Sequence, residues 1–175
     1  MMVKNRLVLL MAILLFFSAC KNGTSVRNQV LNAIKTNVPI PDKYVIYKNG
    51  IIDSLSFNFD DLTIVSFSNY SACPSCDIMK IDDWFTLATE IEDLNCQVVY
   101  IVNNFIDRNI KAQVINNRSN ISIMLIEDKL FNDFANKIAP INAFMMDKKK
   151  IVLVGNPVYN TELWNLYKKA ILQLK

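Results

Sequence analysis

The chain contains no histidine and only four cysteines: Cys20, Cys73, Cys76 and Cys96. A zinc centre takes about four ligands, chiefly thiolate and imidazole. Imidazole is absent, and Cys20 and Cys96 each stand alone in the sequence, so the Cys73/Cys76 pair lacks partners for such a site. No metal and no small-molecule cofactor are expected. The net charge is a modest +3, and no basic cluster is interleaved with aromatic residues, which argues against a nucleic-acid partner. Lys148-Lys149-Lys150 is the one dense basic run and reads as a solvated hairpin tip. No internal repeat, low-complexity tract or second domain is evident.

The unbroken apolar run over 7–17 is too short to span a bilayer comfortably as a helix. Lys4 and Arg6 precede it, and the small residues Ser18-Ala19 follow it, directly before Cys20. A basic start, an apolar stretch and a small-residue end make a secretory signal. Small residues before a cysteine also resemble the lipobox of bacterial lipoproteins, although Phe17 stands where a leucine is usual. That resemblance implies cleavage after residue 19 and a lipid on the Cys20 sulfur. An uncleaved signal anchor would tether the chain to the same membrane. The expected organisation is a signal over 1–19, a tether with an amphipathic helix over 20–43, and one domain over 44–175. Export would put the chain where disulfides persist.

What the sequence does contain is Cys73-Pro74-Ser75-Cys76, preceded by the β-branched apolar segment 62–67 and followed by a helical pattern over 78–94. A strand feeding a C-x-x-C at a helix start is a redox arrangement. Free amide N–H groups and the positive end of the helix dipole favour a thiolate at the first cysteine. Its pKa then falls below the roughly 8.5 of a free thiol, and the thiolate is the nucleophile. Cys73 is therefore expected to attack and Cys76 to resolve. Pro74 suits the first helical turn, where a missing N–H is tolerated. The alternative is a purely structural disulfide, which gains little entropic leverage across so short a loop. Cys96, left over, is expected as a small buried core residue.

The rest of the chain alternates strands and helices. A helix over 26–34 is stopped by Val38-Pro39-Ile40-Pro41. Residues 44–47 and 51–52 flank Asn49-Gly50, the favoured pair for a tight hairpin turn. Phe57 and Phe59 point to one side of a connection. Residues 97–102 and 121–126 are continuous apolar strands, as in a parallel sheet covered on both faces. Helices are predicted over 105–115 and 130–137. A hairpin of 143–146 and 151–154 turns around 147–150. A final helix is capped by Asn160 or Thr161, with Leu163, Trp164, Leu166, Tyr167, Ala170, Ile171 and Leu174 on its apolar face.

This order resembles the thioredoxin superfamily, and more narrowly its membrane-tethered TlpA and redoxin-like members. Three features carry the resemblance: the C-P-S-C after a buried strand, the strand and helix over 121–137, and Ala139-Pro140 just before a hairpin strand. The resemblance implies an α/β thioredoxin-like fold, a central mixed sheet flanked by helices, with 121–137 as the extra strand–helix insert of the tethered group. It implies that Pro140 is cis and that Ala139 and Pro140 bind an extended substrate segment beside the cysteines. It implies thiol–disulfide exchange with extracytoplasmic protein thiols and disulfides, a separate membrane redox partner, and a monomer facing the periplasm or exterior. Some family features are replaced. Ser66 is the polar residue where plain thioredoxins bury a carboxylate, Met79 stands for a glutamate after the second cysteine, and Ala72 for a tryptophan. The peroxiredoxin pattern wants Thr or Ser three residues before its cysteine, where Tyr70 stands. A non-catalytic binding lipoprotein on the same scaffold is the rival reading.

Overall fold

The computed structural model describes residues 27–34, 37–53, 57–67, 81–103 and 120–174. Among them, seven strands form one sheet: β1 (Val45–Lys48), β2 (Ile51–Ile52), β3 (Thr63–Phe67), β4 (Gln97–Asn103), β5 (Ile121–Ile126), β6 (Ala143–Asp147) and β7 (Lys150–Val154). The helices are α1 (27–34), α2 (Ile81–Glu90), α3 (Asp128–Ile138) and α4 (Thr161–Gln173). The strand order is β2-β1-β5-β4-β3-β6-β7. The three central strands β5, β4 and β3 are parallel, and β1 and β6 flank them antiparallel. This is the mixed, helix-flanked sheet expected from the sequence. β5 is interior, hydrogen-bonded on both edges, and so part of the frame. The predicted helix over 105–115 lies outside the described residues.

Uninterrupted apolar strands bury both faces because successive side chains point to opposite sides. Ile64, Val98, Tyr100, Ile121, Ile123 and Met145 face one core, closed by Trp84 and Ala88 of α2 and Trp164, Tyr167 and Ile171 of α4. Val65, Val99, Ile101, Met124 and Phe144 face the other. Phe131, Phe134 and Ile138 of α3 close that side, joined by Ala33 of α1 and by Val38. The segment assigned to the tether thus packs on the core from α1 onward. Fully burying each large apolar side chain contributes about 1.5–3 kcal/mol.

Two hairpin turns use the left-handed region. Asn49 (φ 53°) and Gly50 (φ 76°) do so as their sequence predicts. Lys148 (φ 47°) and Lys149 (φ 65°) do so without glycine, because the strands run on through Asp147 and Lys150 and leave only two residues to turn. Left-handed geometry costs an ordinary residue about 1–2 kcal/mol. Neighbours offset it: the Val38 N–H donates to the Lys149 carbonyl at 2.7 Å, and the Lys149 ammonium lies 3.6 Å from Asp60. Phe57 and Phe59 do share a side, meeting edge to face at 4.7 Å.

Two sequence boundaries move, and one helix face differs. The helix expected to reach residue 94 ends at Glu90, and the chain tightens into i→i−3 bonds, Ile91 N–H to Ala88 and Leu94 N–H to Ile91. Glu92 and Asp93 would put negative charge at a helix C-terminus, against its dipole. α3 begins at Asp128 rather than 130, with its carboxylate at the favourable N-terminal end. On α4, Leu166 and Leu174 are exposed rather than packed. Leu166 lies about 200° around the helix from Trp164, on the far side. The Asn160 side chain caps α4, accepting from the Leu163 N–H at 3.0 Å.

α4 is held by polar contacts at both ends of its buried face. The Tyr167 hydroxyl donates to the Gly155 carbonyl at 2.7 Å. Trp164 Nε1 donates to Glu90 Oε2 at 2.8 Å, and Lys168 Nζ donates to the same oxygen at 3.1 Å. The Trp164 hydrogen bond first, and Lys168 second, hold the Glu90 carboxyl below its ordinary value. A depressed carboxyl contributes stability above its unfolded pKa and loses it as pH falls through the folded one. The stability gap between wild type and Glu90→Gln should therefore be full above about pH 5 and close as the solution is acidified below 4.5, followed by urea unfolding across that range. Gly155 has φ +115°, and an added Cβ would meet Leu163 Cδ2 at 3.0 Å. Gly155→Ala should cost about 1–3 kcal/mol in the same assay.

Candidate functional site

The parallel run of β3, β4 and β5 brings three strand ends to one edge of the sheet. Phe67 pairs with Ile101, and Asn103 with Ile126, so all three chains leave on the same side. β6 runs antiparallel to β3, with Ala143 opposite Ser66, so its start lies at that edge too. The Phe67 N–H donates to the Asn142 carbonyl at 3.1 Å. The chain that heads toward Cys73 therefore leaves β3 hydrogen-bonded to the loop that starts β6.

That loop is Ile138-Ala139-Pro140-Ile141-Asn142. Its two isoleucines are buried, at 3% and 6% exposure, while Ala139 and Pro140 between them are exposed. The Ile141 N–H donates to the Ile138 carbonyl at 3.0 Å and closes the turn. The outer residues anchor the loop in the core, and the inner pair is displayed at the surface. The Ala139–Pro140 peptide bond is cis. A cis bond is a minority state even before proline, and the residues alone do not predict it.

Cys73 and Cys76, expected to do the chemistry, lie outside the described residues, as does Cys20. So do Ala72 and Met79. Ser66 is described, and it is buried in β3 opposite Ala143. One feature of this edge had no signal in the sequence. Asn103, fully buried at the end of β4, donates through Nδ2 to Asp128 at the start of α3, and Asn132 Nδ2 lies 3.3 Å from the same oxygen. An asparagine closing an apolar strand and an aspartate 25 residues later share no spacing rule; only the parallel register brings them together.

The opposite edge holds the other thiol. Cys96 precedes β4, where the Gln97 N–H donates to the Leu62 carbonyl at 2.9 Å. It is half-buried rather than a core residue, packed against one core and lining an open cleft of about 660 Å³ with Asp60, Asp61, Glu92 and Asp147. The expected burial is incomplete because α2 stops at Glu90 and the following turn opens the cleft. Desolvation pushes the Cys96 thiol up to about 12, with a backbone hydrogen bond at Ile64 opposing it. Among the described residues no group of His, Cys, Asp and Glu side chains is arranged to hold a metal ion.

No family model matches this chain, and no curated protein matches it either. Solved structures do. The thioredoxin domain of a thiol-disulfide oxidoreductase from Bacteroides vulgatus superposes with a TM-score of 0.53 at 12% identity, covering 78% of this chain and 96% of that one. A thiol:disulfide interchange protein from a Bacteroides species gives 0.52 at 14% identity, over 79% and 91%. Enterococcus faecalis AhpC gives 0.50 at 12% identity, over 79% and 95%.

A thiol whose pKa is raised by burial is neutral, and so inert, at ordinary pH. Cys96 should resist iodoacetamide in the folded protein at pH 7–8 and react once urea is added, as read by peptide mass mapping. The sign of the pH effect follows. The contribution of this neutral thiol to stability is full below the ordinary value of 9.0 and is lost as pH rises toward about 12.

Proposed function

We propose that this chain, which has the thioredoxin-like fold, is a thiol–disulfide oxidoreductase acting through Cys73 and Cys76, with Ala139 and Pro140 receiving the substrate. The observation that carries this reading is the hydrogen bond from Phe67 to Asn142. It ties the end of β3, six residues before Cys73 in the sequence, to the loop that exposes Pro140 two residues from the bond. Fold alone does not fix activity, so the reading rests on the cysteine spacing and on this junction.

In the reducing direction, the Cys73 thiolate attacks one sulfur of a substrate disulfide. A Cys73–substrate S–S bond forms, the substrate S–S bond breaks, and the other substrate sulfur leaves as a thiolate. The Cys76 thiolate then attacks Cys73 Sγ, forming the Cys73–Cys76 disulfide and releasing the second substrate thiolate. Two electrons pass to the substrate, and the released thiolates take protons from water. A separate dithiol protein must return two electrons before the next cycle. With Ser66 in β3 rather than a carboxylate, proton transfer at Cys76 falls to water, to Asp77 next to it in the sequence, or to another group. The reverse sequence oxidises a substrate dithiol, and the potential of the pair sets the direction.

Cys20 belongs to the same proposal as the lipid attachment point, holding a monomer on a bacterial envelope membrane toward the periplasm or exterior. Its partners are then exported proteins carrying thiols or disulfides, together with a membrane redox protein. Ser66 and Met79 in place of carboxylates favour the rival reading, a binding lipoprotein with a structural C-x-x-C.

Cys76→Ser removes the resolving thiol and leaves the attacking one. In cells it should accumulate mixed disulfides to exported proteins that run as reductant-sensitive adducts on a gel and vanish when Cys73→Ser is added. If Cys76→Ser traps no partner while the protein is present and folded, the exchange reading gives way to its rival.

A further inference from the structure

We propose that α1 and the last turn of α3 form a selectivity groove beside Pro140, and that Lys137 makes it favour substrate segments carrying a carboxylate next to their cysteine. This rests on the exchange reading above and names the class of substrate that site takes.

The groove measures about 400 Å³ and runs from the exposed Ala139–Pro140 pair to α1. Gln29 and Asn32 form one wall, and Asn136 and Lys137 the other. Gln29 and Asn32 are three residues apart and so share one face of their helix. Ala33, 7% exposed, seats α1 on the core, and its small side chain lets the helix lie close to the loop. All four polar side chains are exposed, and among the described residues none of them holds a hydrogen bond or ion pair. Asp133, one turn before Lys137 on the same helix, forms no ion pair with it.

These groups set what the groove accepts. Primary amides offer both donors and acceptors, which match the unpaired N–H and C=O groups of an extended peptide whatever its sequence. An ammonium offers donors only and carries a full charge. It attracts a carboxylate side chain and repels a lysine or arginine. Among the described residues no acidic side chain lines the groove to cancel it. The amides therefore give general affinity for an extended segment lying along Pro140, and Lys137 gives the preference.

The test uses the full chain in mild detergent, reduced, and two cystine peptides that differ only in Glu or Lys beside the cysteines, with a small uncharged disulfide as a third substrate. Wild type should reduce the Glu peptide at least about threefold faster than the Lys peptide at low salt, the range an exposed charge pair supplies. The ratio should shrink as salt is raised. Lys137→Glu should invert the preference. Lys129→Glu makes the same charge change at the other end of α3, outside the groove, and should keep the wild-type ratio. Circular dichroism and melting establish that both variants fold, and Lys137→Gln, which should bring the ratio near one, serves if Lys137→Glu does not. An unchanged ratio in the folded Lys137 variants overturns the groove while exchange stands. So does an equal shift in Lys129→Glu, which would mark net charge rather than place. Failure of wild type to reduce even the small disulfide overturns the exchange reading, and the groove with it.

Discussion

Burial of both faces of three parallel strands is the constraint on which everything else in this molecule depends. β3, β4 and β5 carry no polar face to turn toward water, so helices must cover both sides. Once they do, the parallel direction forces all three strands to end at one edge. The antiparallel β6 then has to start there, and its loop is held at the exit of β3 by the Phe67–Asn142 hydrogen bond. The edge that gathers these strand ends and the Pro140 loop is thus a consequence of hydrophobic packing before any catalytic group is considered. The alternation that divides Ile64 from Val65 and Phe144 from Met145 between two cores also fixes the register, since a one-residue slip would exchange the two sets.

The two edges of the sheet give thiols opposite prospects. Cys96 sits where desolvation holds a neutral thiol and where Asp60, Asp61, Glu92 and Asp147 surround the cleft with negative charge. It is the desolvation that opposes a thiolate there. At the edge toward which β3 points, the described aspartate Asp128 is engaged by Asn103 and Asn132. On the proposed export, a third thiol would risk pairing with the wrong cysteine, and the desolvation that keeps Cys96 neutral would hold it out of such exchange.

Much of the frame was legible because its signals are local. The apolar runs at 62–67, 97–102 and 121–126 name their strands, Asn49-Gly50 names its turn, and Asn160-Thr161 narrows the cap to two residues, of which Asn160 serves. What was not legible depends on contacts between distant residues. The left-handed Lys148-Lys149 turn is held by Val38 and Asp60, which no propensity connects to it. Leu166 reads as apolar and therefore inward, yet helical phase puts it outside. α2 ends early because the acidic pair after it opposes the dipole, a term that apolar spacing does not contain. The candidate site divides in the same way. Cys73 and Cys76 are proposed from spacing alone and lie outside the described residues, and the cis state of Pro140 followed only from resemblance. The groove beside Pro140 could not be read at all, because Gln29 and Lys137 are joined only by the fold.

α1 changes how the leading segment of the chain is understood. As a tether it would only connect, but Ala33 and Val38 enter the core, and Val38 and Asn37 pair with the tip of the β6–β7 hairpin. The segment is therefore a strap running from the hairpin tip to the neighbourhood of Pro140. On the proposed lipidation at Cys20, six residues of sequence, 21–26, lie between the anchor and the described part of α1. Fully extended at about 3.3–3.6 Å each, they reach about 20 Å. Because α1 walls the groove beside Pro140, the anchored end and the substrate end of the domain would be neighbours. Exchange would then take place within a short reach of the membrane surface, which suits partners that are themselves held there and disfavours those that diffuse freely.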